Sequence, residues 1–437
     1  MKKEQRNLQR NISSWWNQFN TKYKFMKNIK VIISTGQGRL HLIDAASAIN
    51  NNEINIKIIT GWLPHKIIPN RILDFLGRIA NSKNTAYGLR KRYPINIDSK
   101  YIYSCGFSEF YYQFLKILTR LNILSSDFTS VIGWKMYGIQ SRKAIKNAHI
   151  FHVRSGAGVG GAIEKARKEG MKIIVDHSAV HPRKYLQQMD RAQLSFKKNT
   201  ISDEKFWDSV LNDCEKADVV LVSSSYVRDT FLEMGFDETK IKVANLGVNK
   251  KFSRIKKNYN INGKIKLLFT GRYSSGKGAR IIEEVIARLI KLKVEFHFDI
   301  VGSISEIKDI PDWFLSNEDI VFHGHLQQEQ LSTFYAHSDI YIFPTFADGS
   351  AQSLKEAMSA GMPVITTIES SAQITDQING IIVKCGSSED IVESIIMLQE
   401  SEMLRKKLGL NAIKHIEEEF TWEKYGNKVR AIYKEIL

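Results

Sequence analysis

The stretch DIYIFPTFADGSAQSLKEAMSAGMPVITT, residues 339–367, decides the fold of this chain. It predicts a buried strand, a polar turn with Asp348, a helix with Glu356 and, after a Gly-Met-Pro break, a second strand. Small residues between the two carboxylates leave backbone N–H groups accessible where the helix begins, and such a helix start favours a phosphate. A carboxylate on the helix can accept hydrogen bonds from sugar hydroxyls. The stretch therefore predicts a site for a phosphorylated sugar or a nucleotide.

Length and composition indicate a soluble protein of two domains. The chain has 437 residues, 43% of them hydrophobic, which exceeds the usual size of a single core. Its apolar runs are shorter than the ~20 residues of a membrane span, and its N-terminus has no apolar signal core. The cysteines are far apart and form no CxxC or Cys/His cluster, so neither a disulfide framework nor a zinc site is indicated. We therefore expect a cytoplasmic protein.

The net charge of +17 is unevenly distributed along the chain. Residues 1–130 carry 20 Lys and Arg against 7 Asp and Glu, a net charge of +13, and Trp15 and Trp16 lie among them. Basic and aromatic residues together favour a membrane interface. We therefore predict that residues 1–130 meet an anionic membrane surface, with the protein peripheral at the inner face of the membrane. A solvated basic arm is the alternative, and no nucleic-acid partner is expected.

Strands, glycine-containing turns and helices alternate along most of the chain, as in doubly wound α/β domains. The alternation stops at the polar, basic segment KKFSRIKKNYNINGK and then restarts. The predicted parts are a basic aromatic arm at 1–28, a Rossmann-like acceptor-side domain at 29–249, a linker at 250–264, a Rossmann-like nucleotide-sugar-binding domain at 265–420, and a C-terminal helix at 421–437. Ligands of such sheets bind at the carboxyl ends of the strands, so we expect a site in the cleft between the domains.

The sequence TGRYSSGKGAR, residues 270–280, predicts a cationic turn between a strand and a helix. Arg272 offers a planar fork for phosphate, and Lys277 offers a compact charge. Gly271 to Lys277 also fits part of a Walker A loop, but Gly278 stands where that loop needs a Ser or Thr hydroxyl for magnesium. We therefore predict an anion site and disfavour a P-loop nucleotidase. A solvated basic turn is the alternative.

In the first domain, Gly36 and Gly38 form a turn after the first strand, where backbone can approach a ligand. His177 follows the strand KIIVD and could hydrogen-bond a sugar hydroxyl or a phosphate. A structural role is the alternative for these residues. The glycines at 156, 158 and 161 spell GxGxxG, and Asp176 lies about 20 residues beyond them. Because this motif is short and lies mid-domain, we disfavour a nicotinamide or flavin site.

Three stretches together resemble the retaining glycosyltransferases of family 4 (glycosyl transferases group 1), which have the GT-B fold. They are ADVVLVSSSYVRDTFLEMGFDETKIKVANLGVNKKF (217–252), LLFTGRYSSGKGARIIEEVIARL (267–289) and the stretch 339–367, with its acid-x7-Glu motif. The resemblance implies an α/β fold of two Rossmann-like doubly wound domains that face each other across a cleft. It also implies C-terminal helices that pack back toward the first domain.

The resemblance also implies roles for the candidate residues. Glu356 would hold the ribose hydroxyls, Arg272 and Lys277 would neutralise the donor diphosphate beside Gly271, and Asp348 would contact the donor sugar. The remaining donor contacts would be Ser350, Ala351 and Gln352 at the helix start. His177 would line the cleft and, with Arg272, Lys277 and Asp348, would act in catalysis, while Gly36 and Gly38 would line the acceptor side. Two departures, Asp348 in place of Glu and Gly-Ser-Ala in place of Gly-Phe-Gly, affect the half of the pocket that would hold the sugar.

The expected activity is metal-independent transfer of a sugar from a nucleotide diphosphate to a hydroxyl of a glycan or lipid-linked acceptor, with retention at the anomeric carbon. No DxD motif is present, and no cofactor is expected beyond the donor substrate. Cell-envelope or surface polysaccharide synthesis is the expected pathway. A non-catalytic GT-B subunit and a GT-B sugar-nucleotide epimerase are the alternatives. Mutation of Glu356 or Lys277 tests the first alternative, and product analysis with donor alone tests the second.

Overall fold

The computed structural model describes residues 28–37, 41–63, 71–72, 75, 96–191, 204–304 and 310–437. These residues form two compact units. The first takes the described residues within Met1–His177, Lys198–Leu221 and Tyr425–Leu437, and the second takes those within Ser178–Lys197 and Val222–Lys424. Residues 1–27 of the predicted arm, and Gly38, lie outside the described residues.

The N-terminal sheet has seven strands in the described part of the chain, in the order β3-β2-β1-β4-β5-β6-β7. Pairing of β1 with β2 and β4, of β2 with β3, and of β4 with β5 is parallel. Apolar, β-branched runs such as IKVIIS form strands because they are buried on both faces of a parallel sheet. The strands are β1 (Ile29–Ser34), β2 (Ile54–Thr60), β3 (Ile102–Ser104), β4 (Ile150–Arg154), β5 (Lys172–His177), β6 (Val219–Val222) and β7 (Ile241–Val243).

The C-terminal sheet has six described strands in the order β10-β9-β8-β11-β12-β13, and its pairs are parallel. They are β8 (Ile265–Thr270), β9 (Phe296–Val301), β10 (Ile320–Gly324), β11 (Ile340–Phe343), β12 (Val364–Thr366) and β13 (Ile381–Ile382). Both sheets thus follow the doubly wound order 3-2-1-4-5-6, in which the strand order reverses beside the first strand. The reversal lies between β1 and β4 in one sheet and between β8 and β11 in the other, and ligands bind at such points.

Helices connect the strands and cover the sheets. In the described part of the chain they are α1 (Leu42–Ile49), α2 (Gly106–Arg120), α3 (Ser126–Ser141), α4 (Ala162–Lys168), α5 (Pro182–Arg191), α6 (Glu204–Glu215), α7 (Ser225–Glu233), α8 (Ala279–Lys291), α9 (Asp312–Leu315), α10 (Gln328–His337), α11 (Gln352–Ala360), α12 (Ser388–Glu400), α13 (Glu402–Glu419) and α14 (Trp422–Glu435). None of these described helices is long and apolar enough to cross a bilayer.

The segment 250–264, predicted as a linker, belongs to the second unit, and its Phe252 and Lys256 side chains are buried there. Lys256 donates to the Ser338 carbonyl at 2.7 Å. The polar composition of the segment does not indicate that these two side chains are buried, because a buried lysine and a single phenylalanine produce no periodic pattern. The predicted domain boundaries themselves stay predictions.

Residues Tyr425–Leu437, which include most of α14, belong to the first unit. Gly426 lets α14 approach α1, because a Cβ atom at this position would lie 2.2 Å from the Ala48 carbonyl oxygen. Arg430 donates to that same oxygen at 2.7 Å. The Tyr433 hydroxyl lies 2.6 Å from Nδ1 of His152 on β4. The C-terminal end of the chain therefore stabilises the first unit, in agreement with the predicted packing.

Candidate functional site

The turn after β8 begins at Gly271 and ends at Gly278, and both have a backbone conformation that favours glycine. Gly271 has a φ of +132°. A Cβ atom on the neighbouring Gly302 would lie 1.7 Å from the Gly271 carbonyl oxygen, so Gly302 must also lack a side chain. Gly278 has a φ of +83°, and a Cβ atom there would lie 2.1 Å from the Pro344 carbonyl oxygen. This close approach brings the turn that holds Arg272 and Lys277 against the loop after β11. The predicted cationic turn is therefore built into the switch point of the sheet.

Lys277 and Asp348 form an ion pair at this point. The Lys277 Nζ atom lies 2.6 Å from Asp348 Oδ2 and donates to the Ala347 carbonyl at 3.0 Å. The side chains are 27% and 20% exposed, so solvent and ligands can reach both. Arg272 is exposed in the same turn. The structure thus brings together the cation predicted for the diphosphate and the acid predicted for the sugar.

Asp348 also fixes the turn that precedes α11. Its Oδ1 atom accepts from the Ser350 N–H at 2.9 Å, and the Ala351 N–H donates to the Ser370 carbonyl at 3.3 Å. Both amides, which we predict as donor contacts, therefore have partners within the chain. A phosphate at this position would have to replace these hydrogen bonds. Gln352 is the first residue of α11, and the donor-binding roles of all three residues stay predictions.

The sequence analysis missed Lys355, which is fully buried beneath this turn. Its Nζ atom donates to Ser350 Oγ at 2.6 Å and lies 4.6 Å from the centre of the Phe420 ring. Burial lowers the pKa of Lys355 to about 7, although the Asp348 carboxylate opposes the shift. Helical spacing offered the signal, since residue 355 falls on the same face as the buried residues 351 and 358. Lys277, Asp348, Ser350 and Lys355 therefore form one continuous polar chain.

Glu356 lies on the other side of α11, near two buried tyrosines. The Tyr335 hydroxyl, from α10, donates to Glu356 Oε2 at 3.2 Å. Tyr341, from β11, donates to Ser353 Oγ at 3.0 Å. Burial raises the pKa of Glu356 to about 7, while the Tyr335 hydrogen bond opposes the shift. A half-buried carboxylate held in this way can accept two hydroxyl groups of a ligand. The sequence analysis did not identify Tyr335.

In the first unit, His177 is buried at the end of β5, and its Nδ1 atom lies 2.9 Å from Ser155 Oγ. Gly36 has a φ of +78°, and a Cβ atom there would lie 2.4 Å from the Trp134 ring. The Tyr137 hydroxyl accepts from the Gly36 N–H at 3.1 Å. Packing against these aromatic residues is thus sufficient to require the glycine. The catalytic role of His177 and the acceptor-side role of Gly36 stay predictions.

A buried polar cluster next to His177 was also missed. Asp176 Oδ1 lies 2.8 Å from His41 Nε2, and Asp176 Oδ2 lies 3.6 Å from His152 Nε2. Burial alone would raise the pKa of the Asp176 carboxyl, but the two histidines hold it well below its usual range. His152 in turn contacts Tyr433 of α14. The cluster joins the end of β5 to α1, β4 and α14. Because these four segments are far apart in the sequence, no local pattern predicts the cluster.

The GxGxxG turn of the first unit is occupied by a carboxylate of the chain itself. Asp213 Oδ2, from α6, accepts from the Gly156 N–H at 2.8 Å and from the Gly158 N–H at 2.9 Å. Asp213 is 1% exposed. The two amides that could bind a pyrophosphate therefore bind a side chain instead. This arrangement supports our rejection of a dinucleotide site there.

Comparison with known proteins gives the family that the second unit resembles. Residues 251–415 match the family Glycosyl transferases group 1. The match includes the turn after β8, the Lys277–Asp348 ion pair and Glu356. The family match and the site geometry therefore fall on the same part of the second unit.

Curated relatives extend the likeness beyond this domain. The uncharacterized glycosyltransferase MJ1069 of Methanocaldococcus jannaschii is 31% identical over 240 residues, which cover 51% of this chain and 60% of the relative. The capsular polysaccharide biosynthesis glycosyltransferase CapM of Staphylococcus aureus is 23% identical over 237 residues, covering 50% and 62%. The chain spans 60% to 65% of the length of the first relatives that it matches.

Solved structures show the fold. Anabaena HepE in complex with UDP has a TM-score of 0.60 and 12% identity, with 94% of this chain and all of HepE covered. Sucrose-phosphate synthase from Thermosynechococcus elongatus has a TM-score of 0.63 and 13% identity, with 93% and 99% covered. The fold is therefore α/β with the GT-B architecture of glycosyltransferases, as predicted.

Proposed function

We propose that this protein is a retaining glycosyltransferase of family 4 that moves a sugar from a nucleotide diphosphate to a hydroxyl of a glycan or lipid-linked acceptor. The observation that carries the proposal is the Lys277–Asp348 ion pair, at 2.6 Å, at the switch point of the second sheet. Glu356 lies on the helix that begins directly after this turn. The cation, the carboxylate proposed for the sugar and the carboxylate proposed for the ribose thus all lie near the carboxyl ends of β8 and β11.

In the reaction, the acceptor oxygen attacks the anomeric carbon on the face from which the diphosphate departs. The bond between the anomeric carbon and the phosphate oxygen breaks, and that oxygen takes the acceptor proton. No side-chain base is needed for this step. Lys277 and Arg272 stabilise the charge that develops on the departing diphosphate, and preorganised charges of this kind make a large contribution to catalysis. Because these two cations supply that charge, the proposed reaction requires no metal ion.

Relatives suggest the substrate class. HepE has been crystallised with UDP and with UDP-glucose, and CapM acts in capsular polysaccharide biosynthesis. We therefore propose a nucleotide-linked hexose as the donor and surface polysaccharide synthesis as the pathway. Asp348 in place of the family's Glu shortens the reach toward the sugar by one methylene, so this residue would influence which sugar is accepted.

The proposal is tested by measuring thermal unfolding with UDP-, GDP-, ADP- and CMP-linked sugars. A ligand that binds only the native state stabilises it by about 2.7 kcal/mol at a hundred times its Kd. We expect sugars linked to one of these four nucleotides to raise the melting temperature of the wild type. The Lys277→Ala variant should not show this increase. Lys291→Ala, at the exposed far end of α8, is the matched control and should respond as the wild type does. If no nucleotide sugar stabilises the protein, the proposed function is wrong.

With the donor identified, product analysis separates the remaining possibilities. A transferase consumes donor and extends a glycan or lipid-linked acceptor, whereas an epimerase converts donor alone. The anomeric configuration of the new linkage, read by nuclear magnetic resonance, tests retention. We also propose that the reaction takes place at the inner face of a membrane. Deletion of residues 1–28 tests the predicted role of the arm, and unchanged sedimentation with anionic vesicles would count against it.

A further inference from the structure

Helix α2 of the first unit exposes a row of large apolar residues. Five of them, spaced by three and four residues, are between 52% and 68% exposed and follow one face of the helix to its C-terminal end. We refer to them as the apolar stripe; they are Phe107, Phe110, Phe114, Ile117 and Leu121. Ile123 and Phe128 continue the exposed surface beyond the helix. Monomeric soluble proteins rarely expose contiguous apolar patches of this kind without a binding role.

The stripe faces outward because the opposite face of α2 is anchored by polar contacts. The buried Glu109 carboxylate accepts from the Trp62 N–H at 2.6 Å, and Gln140 Oε1 accepts from the Ser108 N–H at 2.8 Å. Thr119 Oγ1 lies 2.6 Å from Thr129 Oγ1 on α3. The helices also meet closely at Gly133, where a Cβ atom would lie 2.1 Å from the Tyr112 ring. The orientation is therefore fixed by the fold, and turning the stripe inward would break these bonds.

The charges around the stripe indicate what covers it. Lys116 and Arg120 lie on the same helix. Glu109 is the single acidic residue of α2, and it is buried. Residues 1–130 as a whole carry a net charge of +13. Two copies of this surface would bring like charges together, whereas anionic lipid headgroups would complement the cations while acyl chains accept the apolar stripe.

We propose that α2 is a membrane-contact helix whose apolar stripe inserts at the headgroup boundary of an anionic bilayer. The contact would hold the first unit at the surface on which a lipid-linked molecule is presented. This proposal is independent of the sugar-transfer proposal, because vesicle binding requires neither a donor nor an intact Lys277. It also differs from the predicted role of the arm, because α2 would retain membrane binding in a protein that lacks residues 1–28.

The test is sedimentation with vesicles of equal parts phosphatidylcholine and phosphatidylglycerol. A triple variant, Phe107→Gln, Phe114→Gln and Ile117→Gln, changes exposed residues only and should keep the melting temperature of the wild type. We expect it to lose vesicle binding on the order of tenfold or more, since each buried apolar side chain contributes severalfold. Phe107→Leu with Phe114→Leu keeps the stripe apolar and should retain binding even if the glutamine variant proves less stable.

The matched control is Met403→Gln with Leu410→Gln, which removes two exposed apolar residues from α13 in the second unit. It should bind vesicles as the wild type does. Pure phosphatidylcholine vesicles should bind the wild type more weakly, because the cations lose their partner. Equal vesicle binding by wild type and the glutamine variant would overturn the proposal. So would a wild-type dimer that the glutamine variant converts to a monomer, since a second copy would then cover the stripe.

Discussion

Each sheet has a glycine turn at the carboxyl ends of the two strands that flank its switch point, and the two turns are filled in opposite ways. In the first unit, the turn after β4 receives a carboxyl group of the chain itself, because Asp213 accepts from the Gly156 and Gly158 amides at 2.8 and 2.9 Å. In the second unit, the turn after β8 presents Lys277, which is 27% exposed and paired with Asp348 from the turn after β11. One turn is closed by an internal carboxyl group, and the other holds cations that an external anion can reach.

The difference shows that a shared strand order does not carry a shared function. GxGxxG in the first unit has the spacing of a dinucleotide motif, but its amides bind a side chain. The turn of the second unit lacks the last residue of a Walker A loop, yet it keeps its cation at the surface. What distinguishes the two is the charge and exposure of a few side chains.

The largest effect is expected for Lys277→Met. This variant keeps most of the side-chain volume but removes the charge that would stabilise the departing diphosphate. We expect kcat/KM for sugar transfer to fall by about 10²–10³, the loss that follows removal of one preorganised electrostatic group. The measurement is steady-state transfer with the donor found in the thermal screen. Lys291→Met on α8 is the control, and activity within a factor of three of the wild type in Lys277→Met would refute the role.

A smaller effect, on stability alone, is expected for Asp213→Ala. The substitution leaves the buried Gly156 and Gly158 amides without an acceptor, so we expect the free energy of unfolding to fall by about 2–3 kcal/mol. Urea unfolding measures it, with the exposed Asp208→Ala on the same helix as control. Donor affinity should not change. If Asp213→Ala has normal stability but no longer binds the donor, the nucleotide site lies in the first unit and not in the second.

Sequence was sufficient to predict the alternation of strands and helices and the turns after β8 and β11. Buried strands such as IKLLFT and IYIF are continuous apolar runs, and their glycine-containing turns follow directly. The local spacing of Asp348 and Glu356 was equally visible, because one turn and one helix hold both. These features depend on neighbouring residues, which is the range over which periodicity and turn chemistry operate.

Features that join distant segments could not be predicted. Asp213 lies 55 residues from the Gly158 amide that it binds, and His152 lies 281 residues from Tyr433. Lys355 was missed for another reason: lysine is almost never fully buried, so composition argues for an exposed position. Its helical spacing relative to the buried residues 351 and 358 pointed the other way, and the contacts of its amine with Ser350 Oγ and the Phe420 ring accompany its burial. The outward orientation of the aromatic residues of α2 likewise depends on contacts between distant segments, such as that between Glu109 and the Trp62 N–H.

A pH-dependent effect is expected at Glu356, whose pKa burial raises to about 7. Because the folded protein holds this proton more tightly than the unfolded chain does, Glu356 lowers stability as pH rises from about 4.5 through 7. Glu356→Gln should therefore raise the free energy of unfolding by about 1–2 kcal/mol at pH 8 and much less at pH 5. The same variant should bind donor more weakly. Glu318→Gln, at an exposed position, is the control.

Donor affinity of the wild type should follow the same group. The ionised carboxylate accepts both ribose hydroxyls, so affinity should weaken as pH falls below about 7 and Glu356 takes up its proton. Calorimetric titration between pH 5.5 and 8.5 measures this. In Glu356→Gln the slope should disappear. A slope that persists in the variant would assign the titration to the donor phosphates instead.

The smallest effect is expected at Lys355. Burial lowers its pKa to about 7, so the unfolded chain binds this proton more tightly, and the contribution of Lys355 to stability rises with pH from about 7 to 10.5. Lys355→Met keeps the volume and removes the charge. We expect it to be more stable than the wild type by about 1 kcal/mol at pH 6, with the difference shrinking or reversing at pH 9. The exposed Lys407→Met is the control.

The same variant tests whether Lys355 matters for the site or only for the fold. Lys355 holds Ser350 Oγ, and Ser350 N–H holds Asp348, which in turn holds Lys277. If that polar chain positions the sugar half of the site, Lys355→Met should raise the KM for donor severalfold at pH 8 while its stability matches that of the wild type. An unchanged KM would show that Asp348 and Lys277 keep their positions without the buried amine. The Lys277–Asp348 ion pair alone would then distinguish the turn of the second unit from that of the first.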